Sequence, residues 1–109
     1  MIRTMTDYEL WIKGKEVTTI LYTTTDCTVC KSFAPKIAEL LHDMEIPMQI
    51  INLQTTPHFV SEVQVMGVPT LLVYFDSKEI MRVNAYVNLN ELRDKLIRLQ
   101  ETSGTMKAD

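Results

Sequence analysis

Between Val17 and Leu53 the chain reads strand, helix, strand, and that order restricts its fold more than any other feature. Val17 to Thr24 (VTTILYTT) is rich in β-branched and aromatic residues, which suit a pleated, largely buried strand, here a central one. From Lys31 to Glu45 the apolar residues Phe33, Ala34, Ile37, Leu40, Leu41 and Met44 recur at three- and four-residue spacing, with Lys36, Glu39, His42 and Asp43 opposite. This is an amphipathic helix, which Pro35 should bend without ending it. Met48 to Leu53 (MQIINL), after Pro47, reads as a second buried strand. A strand–helix–strand unit of this length closes as a crossover between parallel strands, so the fold class is α/β.

The rest of the chain completes one such layer structure. A short helix is expected from about Pro57 to Gln64, entered at Pro57 and left through Gly67. Thr70 to Phe75 (TLLVYF), the turn Asp76-Ser77-Lys78 and the partly alternating Glu79 to Val87 form a β-hairpin. Asn88 with Glu91 resembles a capping box, after which Leu89, Leu92, Leu96 and Leu99 make one face of a closing helix, with weak support from Glu91 to Lys95 and Asp94 to Arg98. At the front, Ile2 to Met5 reads as a marginal strand and Asp7 to Lys13 as a short helix. The domain is expected to span residues 1–101, with a flexible tail over 102–109 that lacks an apolar pattern.

Composition narrows the class of protein. With 109 residues there is room for one domain. Its net charge of −3 and scattered basic residues argue against nucleic acid or an anionic membrane as partner. The longest apolar run, Leu71 to Phe75, falls far short of the ~18 residues of a membrane-spanning helix. Arg3 and Asp7 interrupt any apolar export segment near the N-terminus, so the expected compartment is cytoplasmic.

The chemistry lies in Cys27 and Cys30, three positions apart and placed where the first strand gives way to the helix. A disulfide between them closes too small a loop to staple a fold, so the pair is chemical rather than structural. The unpaired N–H groups of a helix N-terminus favour a thiolate at Cys27, and Lys31 adds to the effect. In Cys-x-x-Cys motifs so placed the first thiol's pKa falls from about 8.5 into a range of roughly 3.5 to 7.5. Two thiols at this spacing also fit two-step exchange: Cys27 attacks a partner disulfide, and Cys30 then releases the partner. Two other readings compete, a pair of inert buried thiols and a metal site. Zinc needs four ligands, and the available histidines, His42 and His58, do not have zinc-finger spacing.

Cys27-Thr28-Val29-Cys30-Lys31, followed by Ala34-Pro35 and later by Gly67-Val68-Pro69-Thr70, resembles the thioredoxin family over essentially residues 2 to 100. The resemblance implies a thioredoxin-like fold: a central mixed β-sheet, βαβ plus ββα, flanked by helices. It assigns Pro35 to the family's helical proline and Pro69 to its cis proline beside the thiols. It also makes Met66, Gly67, Val68 and Pro69 the substrate-binding loop, where the flexible thioether of Met66 suits varied partners. Asp26, Thr28, Val29 and Lys31 are the positions that tune the redox pair.

Departures from the family pattern carry information. Asp26 stands where the family has tryptophan and Thr28-Val29 where it has Gly-Pro. Leu21 and Ile50 replace the buried aspartate and its lysine, so Cys30 must lose its proton to water or another group and resolve more slowly. Ala85 to Asn88 lacks the usual glycine, which alters the partner groove. Asp26 either caps the helix or biases partners by charge, and Tyr8, Trp11, Phe59, Tyr74 and Phe75 are expected to pack in the core.

The expected function is a thiol-disulfide oxidoreductase that reduces protein disulfides, monomeric, with no metal or organic cofactor. A reductase, flavin-dependent by resemblance, or another dithiol would supply electrons. The competing readings are a thioredoxin-like protein-binding module with incidental thiols and a dedicated donor to one partner enzyme.

Overall fold

The computed structural model describes residues 2–14 and 16–108, with side chains through residue 102. Helix α1 (Met5–Ile12) leads into strand β1 (Thr18–Thr23), helix α2 (Thr28–Asp43) and strand β2 (Met48–Asn52). A short helix α3 (His58–Glu62), the hairpin β3 (Thr70–Phe75) and β4 (Lys78–Asn84), and helix α4 (Leu89–Ala108) follow. The strands form one mixed sheet in the order β2-β1-β3-β4, with β1 parallel to β2 and the other pairings antiparallel. This is the expected α/β architecture.

Each face of the sheet carries its own core. Leu21, Leu71 and Val73 pack with Phe33, Ile37 and Leu41 of α2 and with Leu92 and Leu96 of α4. On the other face Ile20, Tyr22, Leu72 and Tyr74 pack with Ile12 of α1 and Phe59 of α3. Thus β1 and β3 are covered on both faces, and their continuous apolar runs follow from that. Tyr8, Trp11 and Phe75 are half-buried at the margins of these cores, while Phe59 and Tyr74 lie within them.

The hairpin turns on Asp76 and Ser77, with φ of 54° and 67°. Both residues are left-handed, the geometry that matches a two-residue loop to strand twist. A register shift beside Tyr74 places Glu79 opposite Tyr74 and Met81 opposite Val73, so Ile80 is an extra residue. That bulge explains why β4 alternates only in part.

Several expectations change at element ends. Residues 2–4 form no strand, and α1 begins at Met5 because Thr4 and Asp7 close a capping box around its first turn. The Asp7 carboxylate accepts from the N–H groups of Arg3 (3.0 Å) and Thr4 (3.1 Å), which hold its pKa below the ordinary 3.8. Helix α3 ends at Glu62, and the chain leaves it through Gln64 at φ 58° rather than at Gly67. Asn88 caps α4 by accepting from the Glu91 N–H (3.1 Å), but the Glu91–Lys95 and Asp94–Arg98 spacings do not close into ion pairs. The α4 backbone stays helical to Ala108, past Leu99 where the apolar pattern stops; the side chains of the expected tail beyond Thr102 lie outside the described residues. Within α2, Pro35 leaves the helix continuous.

Candidate active site

Sheet order brings three chain segments to one end of the molecule. β1 ends at Thr23, and its antiparallel neighbour β3 begins at Thr70, which pairs with Tyr22 on one side and Asn84 on the other. The turn carrying Cys27, the loop Met66–Pro69 and the segment after β4 therefore share the end at which α2 starts. Among the described residues, no helix is long and apolar enough to cross a membrane, and no three His, Cys, Asp or Glu side chains are grouped to hold a metal ion.

Cys27 and Cys30 are joined by a disulfide, their Cα atoms 5.2 Å apart. Cys27 is the N-cap of α2, and its Sγ accepts from the Cys30 N–H at 3.0 Å. Sulfur thus takes the place that an Asp, Asn, Ser or Thr oxygen usually fills. The capping alternative for Asp26 is corrected: Asp26 is exposed, one residue too early for that role. Cys27 is partly open to solvent and Cys30 is 3% exposed, so one sulfur is presented and the other shielded. Leu21 is fully buried on the α2 face of the sheet, whereas Ile50 is 48% exposed at its edge.

The remaining sequence-singled residues divide by location. Thr28, Val29 and Lys31 are exposed on the first turn of α2, beside the disulfide. Met66 and Gly67 are exposed, Val68 is half-buried and Pro69 is buried, with the Val68–Pro69 peptide bond cis. The Thr70 hydroxyl donates to the Gly67 carbonyl at 2.6 Å and closes this loop on itself.

Other contributors escaped the sequence. Asn52 Nδ2 donates to the Thr25 hydroxyl (3.0 Å), and the Thr25 N–H donates to Gln54 Oε1 (2.9 Å), pinning the turn before Cys27 to the end of β2. Arg82 chelates Glu79 with two bonds of 2.7 Å and donates to the Gln64 and Val63 carbonyls, fixing the segment that leads to Met66. The bulge at Ile80 puts Glu79 and Arg82 on one face, a relation their three-residue spacing in a strand conceals. Tyr86 is 95% exposed just past β4, where Ala85 and Val87 border a groove that reaches Val29 and Lys36 on α2. Its signal was indirect: it falls in the segment Ala85 to Asn88, which the sequence marks by its lack of glycine.

The arrangement offers a two-electron store. An accessible sulfur at a helix N-terminus is paired with a shielded one at a distance that permits reversible disulfide formation, among exposed apolar side chains (Val29, Met66) suited to contact another chain.

A family model described as Thioredoxin matches residues 2–98. The chain is 34% identical over 76 residues to a thioredoxin of Staphylococcus aureus, covering 65% of this chain and 73% of that one. It is 26% identical over 99 residues to the thioredoxin-like protein YdfQ of Bacillus subtilis, covering 90% and 88%. Among solved structures, Fasciola hepatica thioredoxin superposes with a TM-score of 0.74 at 25% identity, over 88% of this chain and 94% of that one. Thioredoxin from Trypanosoma brucei brucei gives 0.80 at 18% identity, over 92% and 88%, a likeness of fold.

Proposed function

The chain belongs to the thioredoxin family, with a Cys pair fit for thiol-disulfide oxidoreductase chemistry, and from that premise we propose that it reduces protein disulfides through Cys27 and Cys30. The observation that carries this reading is the asymmetry of the two sulfurs: Cys27 caps α2 and reaches solvent, while Cys30 is buried behind it.

In the first step the Cys27 thiolate attacks one sulfur of the substrate disulfide. A Cys27–substrate S–S bond forms, the substrate's own S–S bond breaks, and the departing substrate thiolate takes a proton from water. Cys30 then loses its proton and attacks the Cys27 sulfur. The mixed disulfide breaks, the second substrate thiol leaves with a proton, and the Cys27–Cys30 disulfide holds the two electrons' worth of oxidation. Electrons return from a dithiol or a reductase, flavin-dependent by family resemblance, and the cycle calls for no metal or organic cofactor. Leu21 is buried on the α2 face where the family resemblance places an aspartate, so water or another group takes the Cys30 proton in the second step. Asp26, Thr28, Val29 and Lys31 tune the pair, and Met66, Gly67, Val68 and Pro69 hold the partner's backbone. We place this activity in the cytoplasm, where reducing exchange is sustained.

Insulin reduction by dithiothreitol tests the reading. The wild-type chain should accelerate it and the Cys27→Ser variant should not. A wild-type chain without effect that still binds proteins would be a docking module, and one that retains a reactive Cys27 but ignores insulin would serve a single partner enzyme.

A further inference from the structure

The two edges of the sheet are built differently. β4 carries Lys78, Glu79 and Arg82 together with the bulge at Ile80, all devices that discourage another strand from pairing. β2 at the opposite edge (MQIIN) has no charged residue and no proline, and its pairing with β1 runs without a register shift. Because residues 2–4 form no strand, nothing among the described residues ladders to its outer side.

The hydrogen bonds to β1 show which backbone groups face outward. The Thr19 N–H donates to the Pro47 carbonyl (3.0 Å) and the Leu53 N–H to the Thr23 carbonyl (2.9 Å). Groups alternate along a strand, so residues 47, 49, 51 and 53 address β1, while Met48, Ile50 and Asn52 turn theirs away. The Asn52 carbonyl is already taken by the N–H groups of Thr55 and Thr56. Both backbone groups of Ile50, both of Met48 and the N–H of Asn52 remain to be matched. Ile50 itself is 48% exposed. An open groove of about 730 Å³, bordered by Ile2, Arg3, Ile50 and Asn52, leaves room for another chain beside the strand.

We propose that β2 pairs antiparallel with β2 of a second copy of this chain, joining two four-stranded sheets across a two-fold axis at Ile50. The edge is its own complement. About that axis the Ile50 N–H and carbonyl meet the carbonyl and N–H of Ile50 in the second copy, and each Asn52 N–H meets a Met48 carbonyl. Four of the five outward groups on each strand are thereby matched, and the Met48 N–H faces the Asn52 carbonyl that Thr55 and Thr56 already occupy. With no charge on either strand, the like-charge contact that forbids most self-pairing is absent, and the two exposed Ile50 side chains cover each other. The β2 residues themselves offer a charged partner strand nothing to pair its charge. The sequence reading expects a monomer and takes residues 2–5 as a marginal strand.

Sedimentation equilibrium of the full chain over a wide concentration range tests the proposal. Wild type should pass reversibly from one chain mass to two as concentration rises. Ile50→Lys and Ile50→Glu should each remain at one chain mass where wild type is dimeric, since each sets like charges face to face. An equimolar mixture of the two should recover dimer. Ile80→Lys, on the other edge, should dimerise as wild type does. Far-UV circular dichroism checks that the Ile50 variants are folded, and slowed exchange of the Ile50 and Asn52 amides in concentrated wild type reads the pairing without a substitution. Wild type that stays monomeric throughout, Ile50 variants that dimerise as tightly as wild type, or a mixture that stays monomeric would overturn it.

Discussion

The backbone N–H of Cys30 donates to the Sγ of Cys27 at 3.0 Å, so the sulfur that begins α2 is also its cap. On reduction that geometry offers the same N–H to a thiolate, and burial of Cys30 denies the other thiol an equal reaction with solvent. Cys27 should therefore alkylate with iodoacetamide faster than Cys30 in the reduced protein at neutral pH, by an order of magnitude or more. Mass-spectrometric mapping of partially alkylated protein reads the order, and equal rates at the two sites would contradict it.

Leu21 is fully buried between the sheet and α2, where the family resemblance places an aspartate. Leu21→Ala should cost roughly 2–5 kcal/mol of stability through loss of apolar contact and the cavity left behind. Leu21→Asp should cost more at neutral pH, and its deficit should shrink on acidification because the neutral carboxyl is the form that burial tolerates. Urea denaturation at two pH values measures both. An unchanged midpoint for Leu21→Asp would mean that the site is open to water.

On the opposite face of the sheet the Tyr8 and Tyr74 hydroxyls lie 2.6 Å apart, while the Tyr22 hydroxyl is buried with no hydrogen-bond partner among the described residues. Burial above all pushes Tyr8, Tyr22 and Tyr74 upward from the ordinary 10.0; the hydrogen bond to Tyr8 adds to the rise at Tyr74, and the neighbouring Tyr8 adds to it at Tyr22. The neutral form is thus favoured in the folded state. The stability it contributes is full below pH 10.0 and falls as pH climbs above it, when the unfolded chain ionises first. Tyrosinate absorbance of these residues should rise together with alkaline unfolding rather than near pH 10.0. At neutral pH Tyr22→Phe should be neutral or stabilising, by up to about 1 kcal/mol, because it removes an unsatisfied hydroxyl, and Tyr74→Phe should lose about 1 kcal/mol. A stability loss in Tyr22→Phe would show that its hydroxyl has a partner.

What the sequence revealed and what it hid follow from how local each signal is. β3 was legible to the residue because Thr70 to Phe75 is a run of strand formers bounded by Pro69 and a turn, and α2 because its apolar spacing extends over several turns. The Cys pair was legible because its chemistry needs only spacing and a strand-to-helix junction. At the front, Ile2 has apolar character but Thr4 and Asp7 form a capping box that commits the segment to α1, a competition that propensity does not resolve. The α2 cap was misassigned because cysteine is seldom weighed as a cap beside an aspartate. Nothing local tells that Arg82 reaches the Val63 and Gln64 carbonyls, or that Gln54 holds Thr25, since both links join residues far apart in the chain. Nor could a strand pattern say which strand would lie at the edge.

The most direct measurement of the proposed mechanism is the trapping of a substrate in mixed disulfide by single-cysteine variants. Cys30→Ser keeps the attacking sulfur and lacks the releasing one, so after incubation with oxidised insulin it should run on non-reducing gels as a covalent adduct that dithiothreitol dissolves. Cys27→Ser, left with the buried sulfur, should form none. Adducts of equal yield from both variants, or from Cys27→Ser alone, would contradict the assignment of Cys27 as the attacking sulfur and Cys30 as the one that resolves.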